Sequence, residues 1–585
     1  MDTWLYKLVA LTSIALLMAC SDEGRKIDAD IVVVGAGISG LSAALQASAG
    51  DTRVLVIEAS SMAGGHAVKA GGFAMVGTPL QESKGHRDTP EAAIRDLMAW
   101  GEDANPDWVR YFAENSRTEV YDWLTGLGVK FSILLDTPED SSPRFHFAGG
   151  PAVKVVVPML REAINRENIR FLLNTTATEL IAESPSSIAL RIRNSRTNAE
   201  QIVRATSVIL TTGGFQSNLD MVRQHLSEHI DDFTGEGERL LIGSGRYAMG
   251  GGIDLGLDLG ARLYRMDHQV IFINGLPDPR DTARGLKTEN PLSIWVNSEG
   301  RRFVNEAADS KRTEAAGMSL SPRTHWMIFD ARGQKQLRIR GAAWLKPDTQ
   351  RAEILDHPSI GHKSDTISAL ARATGLPADN LAATIASYNE AVTTNDDSMF
   401  QRFTDGGRKA KTISVQPYYA LQLFPMTRKS MGGLAIDMQG RVIGADGNPI
   451  RGLYAAGELT GVGGINGSHG GSGTFLAPSV LTGRVAGRSA AAEIHSISAA
   501  NAVNRSAPDK PQPDRTSAGQ SLDRVQLEPL LALNRPGYWH FEQSHRLVAE
   551  HEYTCDRCHS VEWPPEPASS APQRLLQLES CDICH

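Results

Sequence analysis

Two short apolar runs lie between residues 31 and 57. The stretch that separates them is neither strand-like nor strongly polar. The first run extends from Ile31 to Val34 and the second from Val54 to Ile57, and both are rich in β-branched residues. Continuous apolar runs of this length are typical of strands buried on both faces of a sheet. The stretch between them is largely Leu, Ala and Ser and is predicted to be a helix. The pattern predicts the strand–helix–strand unit of an α/β fold.

Glycines and one acidic residue stand at the ends of these runs. Gly35, Gly37 and Gly40 follow the first run with the spacing G-x-G-x-x-G, and Glu58 closes the second. The first glycine permits a tight turn, the second lets the backbone approach a pyrophosphate, and the third lets the helix pack closely on the sheet. The helix N-terminus attracts phosphate, and Glu58 can accept a hydrogen bond from a ribose hydroxyl. The unit therefore predicts a dinucleotide site.

Three later motifs narrow the choice of dinucleotide. Glycine pairs at 64–65 and 71–72 lie in a loop of small residues, VILTTGGF occupies 208–215, and GLYAAGEL occupies 452–459. In this order they resemble the FAD-binding family that holds fumarate reductases, succinate dehydrogenase flavoproteins and 3-ketosteroid dehydrogenases, over residues 28–495. The resemblance implies FAD bound by one discontinuous domain, with a cap domain inserted into it.

The motifs and the resemblance together assign the cofactor-binding positions. They are Gly35, Gly37, Gly40, Glu58, Gly64, Gly65, Gly71, Gly72, Ala177, Thr212, Gly213, Gly214, Gly457, Glu458, Thr474 and Leu476. His66 in the glycine loop resembles the covalent histidine of succinate dehydrogenases, but its spacing to the second glycine pair differs. The FAD is therefore expected to be bound non-covalently.

At the substrate site the chain departs from the fumarate reductases. In those enzymes an arginine donates a proton, and histidines and a second arginine hold two carboxylates. The family's His-Thr-Met-Gly-Gly element is Lys429-Ser-Met-Gly-Gly here, and the second arginine falls at about Gly470. A C4-dicarboxylate is therefore a poor expected substrate. Lys429 is expected to hold a substrate oxygen, and Arg428 adds positive charge beside the flavin.

The segment 464–484, GINGSHGGSGTFLAPSVLTGR, is closer to the ketosteroid dehydrogenases. There a tyrosine and a glycine four residues later polarise the substrate ketone, and His469 and Gly473 occupy that spacing here. His469 is interpreted either as a group that polarises a carbonyl or transfers a proton, or as a turn residue on the isoalloxazine. His268 and Arg312, on the expected cap, are further catalytic candidates. We expect His469 or Arg312 to handle the proton.

The N-terminal residues have the pattern of an export signal. Lys7 precedes an apolar run from Leu8 to Met18, which suits a secretory signal and is too short to span a bilayer. The sequence LMAC, ending at Cys20, resembles the lipobox of bacterial lipoproteins and predicts a lipid-anchored mature chain. A simple secretory signal and an amphipathic cap on the first domain are the alternatives. Ser21 favours the outer membrane, so we expect the protein on the periplasmic side, held by its lipid.

The other four cysteines form two identical motifs near the C-terminus. Each motif is C-x-x-C-H, with the residues Cys555, Cys558 and His559, then Cys581, Cys584 and His585. This spacing attaches c-type haem through two thioethers and supplies the proximal iron ligand. Paired C-x-x-C motifs also bind zinc, but tetrahedral zinc does not need the two adjacent histidines. Because haem is attached outside the cytoplasm, the export signal also favours two covalent c-type haems.

The second iron ligands are expected just upstream of the first motif. His540, His545 and His551 lie within twelve residues of one another. Bis-histidine ligation suits electron transfer rather than oxygen chemistry. We expect His545 and His551 to complete the two sites, with His540 in reserve.

Composition shifts predict the domain organisation. The predicted units are a signal peptide (1–19), a lipoprotein tether (20–27), an FAD-binding domain in two parts (28–240 and 386–495), a cap domain (241–385), a flexible linker (496–526) and a dihaem cytochrome c module (527–585). The expected fold class is α/β, with a Rossmann-like FAD-binding domain, an inserted α+β cap domain and a small haem-dominated module. Two helices broken at Gly101 and Pro106 are predicted in 90–129, and a hairpin with an NSEG turn in 294–306.

Charge and composition restrict the partners. The 585 residues carry a net charge of −8 without a basic run, which argues against nucleic acid. The sequence predicts an exported flavocytochrome c that oxidises or reduces a C–C bond next to a carbonyl or carboxylate of a small-molecule substrate. Its haems would exchange electrons with an extracytoplasmic electron-transfer protein or a quinol-linked cytochrome. The alternative is a redox relay or sensor with no small substrate of its own.

Overall fold

The computed structural model describes residues 28–504, apart from residue 185, residue 350 and the segments 227–232, 342–344, 346–348 and 404–409. The predicted signal peptide, tether and haem module lie outside the described residues, and so does the predicted linker beyond residue 504. Among the helices of the described part, none is both long and apolar enough to cross a membrane.

The strands of the described part follow one another in this order. They are β1 (Ala29–Val34), β2 (Val54–Ile57), β3 (Phe73–Ala74), β4 (Ile133–Leu135), β5 (Phe145–Phe147), β6 (Ile169–Leu172), β7 (Thr175–Ser184), β8 (Ser187–Asn194), β9 (Glu200–Leu210), β10 (Leu241–Ile242), β11 (Leu263–Tyr264), β12 (Gln269–Asp278), β13 (Asp281–Glu289), β14 (Ile294–Val296), β15 (His325–Asp330), β16 (Arg338–Arg340), β17 (Gly361–Ser364), β18 (Tyr418–Ser430), β19 (Gly433–Leu434), β20 (Arg441–Ile443) and β21 (Pro449–Ala455).

The α-helices lie between these strands and after the last of them. They are α1 (Ile38–Ala47), α2 (Pro79–Ser83), α3 (Pro90–Gly101), α4 (Pro106–Ser116), α5 (Trp123–Gly126), α6 (Val153–Asn165), α7 (Leu219–Gln224), α8 (Gly251–Asp258), α9 (Ser310–Met318), α10 (Ala331–Gln334), α11 (Ile367–Thr374), α12 (Ala378–Thr394) and α13 (Leu476–Asn504). Short 3-10 or π-helical turns occupy Gly65–Lys69, Arg117–Asp122, Arg351–Leu355, Gly457–Leu459 and Gly461–Gly464. The two helices predicted in 90–129 are confirmed as α3 and α4.

The first sheet is the predicted dinucleotide-binding sheet. Its strand order is β20-β21-β9-β1-β2-β6, and β8 and β7 extend from β9. β1 runs parallel to β2 and to β9. Ile31 and Val33 pack in one core with α1 and α13, whereas Val32 and Val34 pack in a second core with β8 and α8. Because both faces of β1 are covered, its residues are continuously apolar.

The second sheet forms the cap. Its order is β10-β13-β12-β18-β15-β14, with β16 paired to β13 and β17 to β18. Helices α11 and α12 cover one side through Leu370, Ile385 and Tyr388, which pack with Ile294 and Ile328 of the sheet. The cap therefore has an apolar core of its own, and the last residues of β18 contact Glu458, which follows β21 of the first sheet.

The structure divides the chain differently from the composition-based boundaries. Strand β18 belongs to the cap sheet and α12 packs on it, although 386–495 was assigned to the FAD-binding domain. Helix α8 packs in the core of the first sheet with Leu434, although 241–385 was assigned to the cap. Hydrophobic spacing identifies an element but not the sheet it joins, which explains both differences. Helix α13 also continues to Asn504, into the segment predicted as linker.

The hairpin predicted in 294–306 is replaced by a different pairing. β14 pairs antiparallel with β15, and the returning segment makes only a single bridge between Val296 and Arg302. Arg302 instead pairs with Glu306 at 2.8 Å and with Asp397 at 3.0 Å. These buried ion pairs fix the segment as a loop, because its charged side chains find their partners across the cap and not along a neighbouring strand.

Candidate active site

The first glycine motif forms a turn that only small residues allow. Gly35 has a φ of +103°, and a Cβ there would lie 2.6 Å from the carbonyl oxygen of Thr211. A Cβ on Gly40 would overlap the carbonyl oxygen of Gly35, so α1 packs directly on the turn. A Cβ on Gly37, by contrast, would meet nothing within 4 Å. Gly37 thus opens at the helix N-terminus, where a phosphate can approach the backbone.

Glu58 closes the strand that follows. Its carboxylate is buried and accepts hydrogen bonds from the backbone N–H of Ala36 at 2.7 Å and of Ser60 at 2.8 Å. Burial raises the pKa of Glu58. The carboxylate therefore stabilises the glycine turn itself, and its ribose contact stays a prediction.

The other predicted cofactor motifs surround the same turn. Gly64 pairs with Gly37 as an isolated bridge, and Gly71 and Gly72 pack against Phe145 and Phe147 of β5. Thr211 donates its hydroxyl to the carbonyl oxygen of Val34 at 2.9 Å. This hydrogen bond holds the motif of residues 208–215 beside the G-x-G-x-x-G turn. Four separated segments of sequence thus meet at the carboxyl ends of β1 and β9.

Gly214 and Glu458 bring the cofactor motifs to the cap. A Cβ on Gly214 would lie 2.7 Å from Oε1 of Glu458. Oε1 of Glu458 also accepts a hydrogen bond from the backbone N–H of Ser430 at 3.2 Å, and Lys429 donates to Oε2 at 2.9 Å. The side chains of Lys429 and Glu458 are only 20% and 15% exposed. The last residues of β18 are therefore fixed against the cofactor motif of residues 452–459.

A bulge in β18 brings two cations to this point. Val270 of β12 lies opposite Lys429, and Ile271 lies opposite Thr427, so Arg428 is an extra residue between them. Consecutive strand residues ordinarily point to opposite faces, and a bulge re-aims one of them. Both Arg428 and Lys429 consequently line the same cavity. The sequence predicts both cations beside the flavin, but its spacing carries no signal of the bulge that places them there.

The cavity lies between the glycine turns and the cap sheet. Its volume is about 1620 Å³, larger than usual for one small molecule, and it suits a dinucleotide together with a substrate. On the cofactor side it is lined by residues that include Ser39, His66 and Leu476. On the cap side it is lined by residues that include Arg284 and Lys287 of β13.

The polar groups beside the glycine motifs fit a polar cofactor. Ser39, in the first turn of α1, and Thr212 have buried hydroxyls that find no hydrogen-bond partner among the described residues. Both lie next to predicted FAD contacts, Ser39 between Gly37 and Gly40 and Thr212 beside Gly213. Buried hydroxyls are normally paired. The Ser39 hydroxyl and the open face of Gly37, which both line the cavity, therefore fit the phosphates of FAD, whereas the Thr212 hydroxyl lies against Gly252 and is not on the lining.

Positive charge concentrates around His66. Burial, together with the charges of Lys429, Arg428, Lys69 and Arg284, holds the pKa of this imidazole well below its usual range. His66 is thus neutral at physiological pH. Arg284 was not among the sequence candidates, because nothing in its strand distinguishes it from an exposed arginine.

Two catalytic candidates, His268 and Arg312, lie beside the cavity and not on its lining. His268 faces Asp103 at 2.8 Å and Asp267 at 3.0 Å. Arg312 is 60% exposed and pairs with Asp309 at 2.6 Å, because Asp309 caps the helix that carries it. Arg312 is therefore not on the lining, although its partner Asp309 and its neighbour Thr313 are, and its role in proton transfer stays a prediction.

His469 and Gly473 occupy the ends of a loop that reaches the cavity. His469 is half-buried, and burial and the charge of Lys311 lower its pKa. Its Nδ1 is buried without a hydrogen-bond partner among the described residues. Residues 470–473 line the cavity, and a Cβ on Gly473 would overlap the backbone of Ala74. His469 therefore directly precedes a segment that lines the cavity and is a candidate proton carrier.

The remaining predicted positions have these placements. Thr474 is buried and donates its hydroxyl to the carbonyl oxygen of Gly471 at 2.8 Å. Ala177 lies on β7, paired with Ile192 of β8. Among the described residues there is no group of three His, Cys, Asp or Glu side chains that could hold a metal ion. The haem positions Cys555, Cys558, Cys581 and Cys584, and the iron ligands His545, His551, His559 and His585, lie outside the described residues.

The fold and the cavity define a flavin-dependent oxidoreductase of the class that acts on C–C bonds. The sequence profile of the FAD binding domain family matches residues 30–476, and the chain belongs to this family. The resemblance stated from the motifs is thereby confirmed for the flavoprotein part.

Relatives of two activities share this part of the chain. Probable fumarate reductase Ifc3 from Shewanella frigidimarina (strain NCIMB 400) is 28% identical over 470 residues, covering 79% of this chain and 74% of that protein. A KsdD-like steroid dehydrogenase from Mycobacterium tuberculosis (strain ATCC 25618 / H37Rv) is 27% identical over 555 residues, covering 81% of this chain and 97% of that protein.

Solved structures repeat this division. The open conformation of a flavocytochrome c3 fumarate reductase has a TM-score of 0.65 at 26% identity, covering 83% of this chain and 81% of that chain. The 3-ketosteroid-Δ4-(5α)-dehydrogenase from Rhodococcus jostii RHA1, in complex with 4-androstene-3,17-dione, has a TM-score of 0.60 at 25% identity, covering 80% and 99%. The chain is thus similar to flavoproteins of both kinds.

Proposed function

We propose that the chain is an exported flavocytochrome c that oxidises or reduces a C–C bond conjugated to a carbonyl or carboxylate. The observation that carries this proposal is the cavity in which Lys429 and Arg428 face the four glycine motifs. Bound FAD supplies hydride chemistry. Lys429 donates a hydrogen bond to the substrate oxygen and stabilises the negative charge that develops there. His469 exchanges the proton in this proposal, because Gly470 beside it lines the cavity and the Arg312 guanidinium is paired with Asp309.

The cation arrangement favours a substrate with one polar oxygen group over a C4-dicarboxylate. Gly470 stands where the family's second arginine is expected, and the space beside it is filled by Phe475, 2.7 Å from a Cβ built there. Phe475 also lies under Lys429, with Nζ 5.8 Å from the ring centroid. Phe475 thus supplies an apolar wall where the family's second arginine is expected, and such a wall suits a conjugated enone or a monocarboxylate enoate. The similar steroid dehydrogenase was solved with 4-androstene-3,17-dione, a conjugated enone, whereas the relatives named for fumarate are named for a dicarboxylate.

An assay with the purified holoprotein tests the activity. Reduced viologen dye is supplied with a panel of enoates and enones, and reoxidation of the flavin is followed by its visible absorbance. We expect reoxidation by at least one conjugated monocarboxylate or ketone, and slower reoxidation by fumarate. If no compound reoxidises the flavin while the haems still exchange electrons with it, the chain is a redox relay without a small substrate.

Two c-type haems per chain are proposed as the electron outlet. The support is the pair of C-x-x-C-H motifs, which use the four cysteines that follow Cys20. Haem iron carries one electron at a time, so two haems match the two electrons of the flavin. A pyridine haemochrome assay on protein matured in a periplasm is expected to give two haems per flavin. A count of zero or one, or stoichiometric zinc in their place, contradicts the proposal.

A lipid anchor at Cys20 is proposed as the means of localisation. The support is the LMAC sequence after an apolar run. Without the thiol no diacylglycerol can be attached, so Cys20→Ala should give soluble or unprocessed protein in a fractionation of bacterial cells. Ser21→Ala, the adjacent control, should leave the protein in the membrane fraction. Membrane association that is unchanged in Cys20→Ala defeats the anchor but leaves the enzymatic proposal in place.

A further inference from the structure

The loop of residues 243–250 separates the cavity from solvent. Residues 243–245 line the cavity. A Cβ on Gly245 would lie 3.1 Å from Cγ of His66, so the loop packs directly on the glycine loop of the cofactor site. Arg246, Tyr247 and Met249 of the same loop are exposed, so the loop reaches from the cavity lining to the surface.

The outer side of the same loop is apolar and exposed. Tyr247 and Met249 are 44% and 48% exposed, and Leu257 on the following helix α8 is 47% exposed. These are three of the eight large hydrophobic side chains that are exposed in the described part of the chain. Arg246, directly before Tyr247, is also exposed, and so are Asp254 and Asp258 beside Leu257 on α8. Three exposed apolar side chains within eleven residues are typical of a docking surface, since exposed apolar side chains are otherwise scattered singly.

The backbone of this loop is firmly held. Ser217 donates its backbone N–H to Ala248 and its hydroxyl to Gly245, both at 2.8 Å. Arg284 donates to the carbonyl oxygen of Ser244 at 2.7 Å. The exposed side chains are therefore presented by a fixed backbone, which lowers the entropy lost when a partner binds.

The chain itself supplies a partner of matching chemistry. Beyond α13 it continues for 81 residues, 505–585, and these contain both C-x-x-C-H motifs. Residues 527–585 carry nine acidic and four basic residues, an excess of negative charge that complements Arg246. The 22 residues of 505–526 span up to about 75 Å when extended, which is enough to reach any face of the described part.

We propose that loop 243–250 and Leu257 form the docking surface for the C-terminal segment 505–585 of the same chain. This inference rests on the proposed function for its purpose, since docking there brings the haem motifs within one loop thickness of the flavin cavity. Electrons then pass between the cavity and the segment beside His66, which lines the cavity.

Photo-cross-linking tests the docking without relying on activity. The full-length protein carries p-benzoylphenylalanine in place of Tyr247 and is mixed with an equal amount of ¹⁵N-labelled chains before illumination. We expect cross-links to peptides of 505–585 with unmixed isotope labels, which identifies one chain. The same photoprobe at Met399, which is 77% exposed on the cap, should give none. Cross-links to a second copy, to residues 28–504 only, or equally from both positions overturn the proposal.

Electron transfer gives a second measurement. In Arg246→Glu the rate of electron transfer from photoreduced flavin to haem is expected to fall about tenfold, as expected when a rim charge is reversed. Arg110→Glu, on an exposed site of α4, should leave the rate unchanged, and an unchanged rate in Arg246→Glu speaks against the docking. Protein purified without haem contradicts the proposed function, whereas the cross-link map still decides the docking.

Discussion

Turnover is expected to fall about 10- to 150-fold when Lys429 is replaced by methionine, while FAD stays bound. The Lys429 ammonium group lines the cavity and donates a hydrogen bond to Glu458, so it lies beside the cofactor motif of residues 452–459. A hydrogen bond from a charged group contributes about 1.5–3 kcal/mol, which sets the range of the expected loss. The measurement is kcat/KM in the reduced-dye assay, with flavin content read from visible absorbance.

Lys154→Met is the matched control for this prediction. Lys154 lies on α6, donates to the carbonyl oxygen of Gly149 at 2.9 Å, and is not among the residues that line the cavity. It should change neither turnover nor flavin content. If Lys429→Met instead loses FAD and keeps its specific activity per flavin, the lysine belongs to the cofactor site and its assignment to the substrate is wrong.

Gly37→Ala is expected to weaken FAD binding about 5- to 150-fold without weakening the fold. Gly37 has a φ of −71°, which alanine adopts freely, and its Cβ would meet no protein atom within 4 Å. The added methyl group would stand where a pyrophosphate approaches the backbone, and overpacking of this kind costs about 1–3 kcal/mol. The measurements are the FAD dissociation constant and the thermal midpoint of the FAD-free protein.

Two further alanine variants are controls for this prediction. In Gly40→Ala the new Cβ would overlap the carbonyl oxygen of Gly35, so the thermal midpoint should fall with or without FAD. In Gly126→Ala the Cβ is in open space, and neither FAD affinity nor stability should fall. A Gly37→Ala protein that binds FAD as tightly as the wild type would show that the phosphates do not pass this glycine.

The sequence predicted the first sheet well because its signals are local. The apolar run from Ile31 to Val34 and the glycines directly after it report a strand buried on both faces and the turn that follows. The same holds for α3, which begins after the cap residue Thr89 at Pro90 and ends at Gly101. Signals confined to a few neighbouring residues survive without knowledge of the tertiary structure.

The site was less predictable because its contacts join distant residues. Lys429 and Glu458 are 29 positions apart, and neither side chain carries a sign of the other in its local sequence. Arg312 is a reasonable candidate by residue type, but it pairs with Asp309, three residues earlier, and is not itself on the cavity lining. The bulge at Arg428 depends on how β12 and β18 align, and such a register is fixed by packing and not by a short pattern.

Strand β18 limits how enzymes of this architecture can be recombined. Its first half pairs with β15 and β17 inside the cap, and its last residues pair with β10 and β12 and contact Glu458. A chimera that exchanged only residues 241–385 would leave β18 paired with foreign strands and would shift Lys429 whenever their register differed. New substrate ranges are therefore more accessible through exchanges of the helices and loops around β18 than through transplantation of the whole cap.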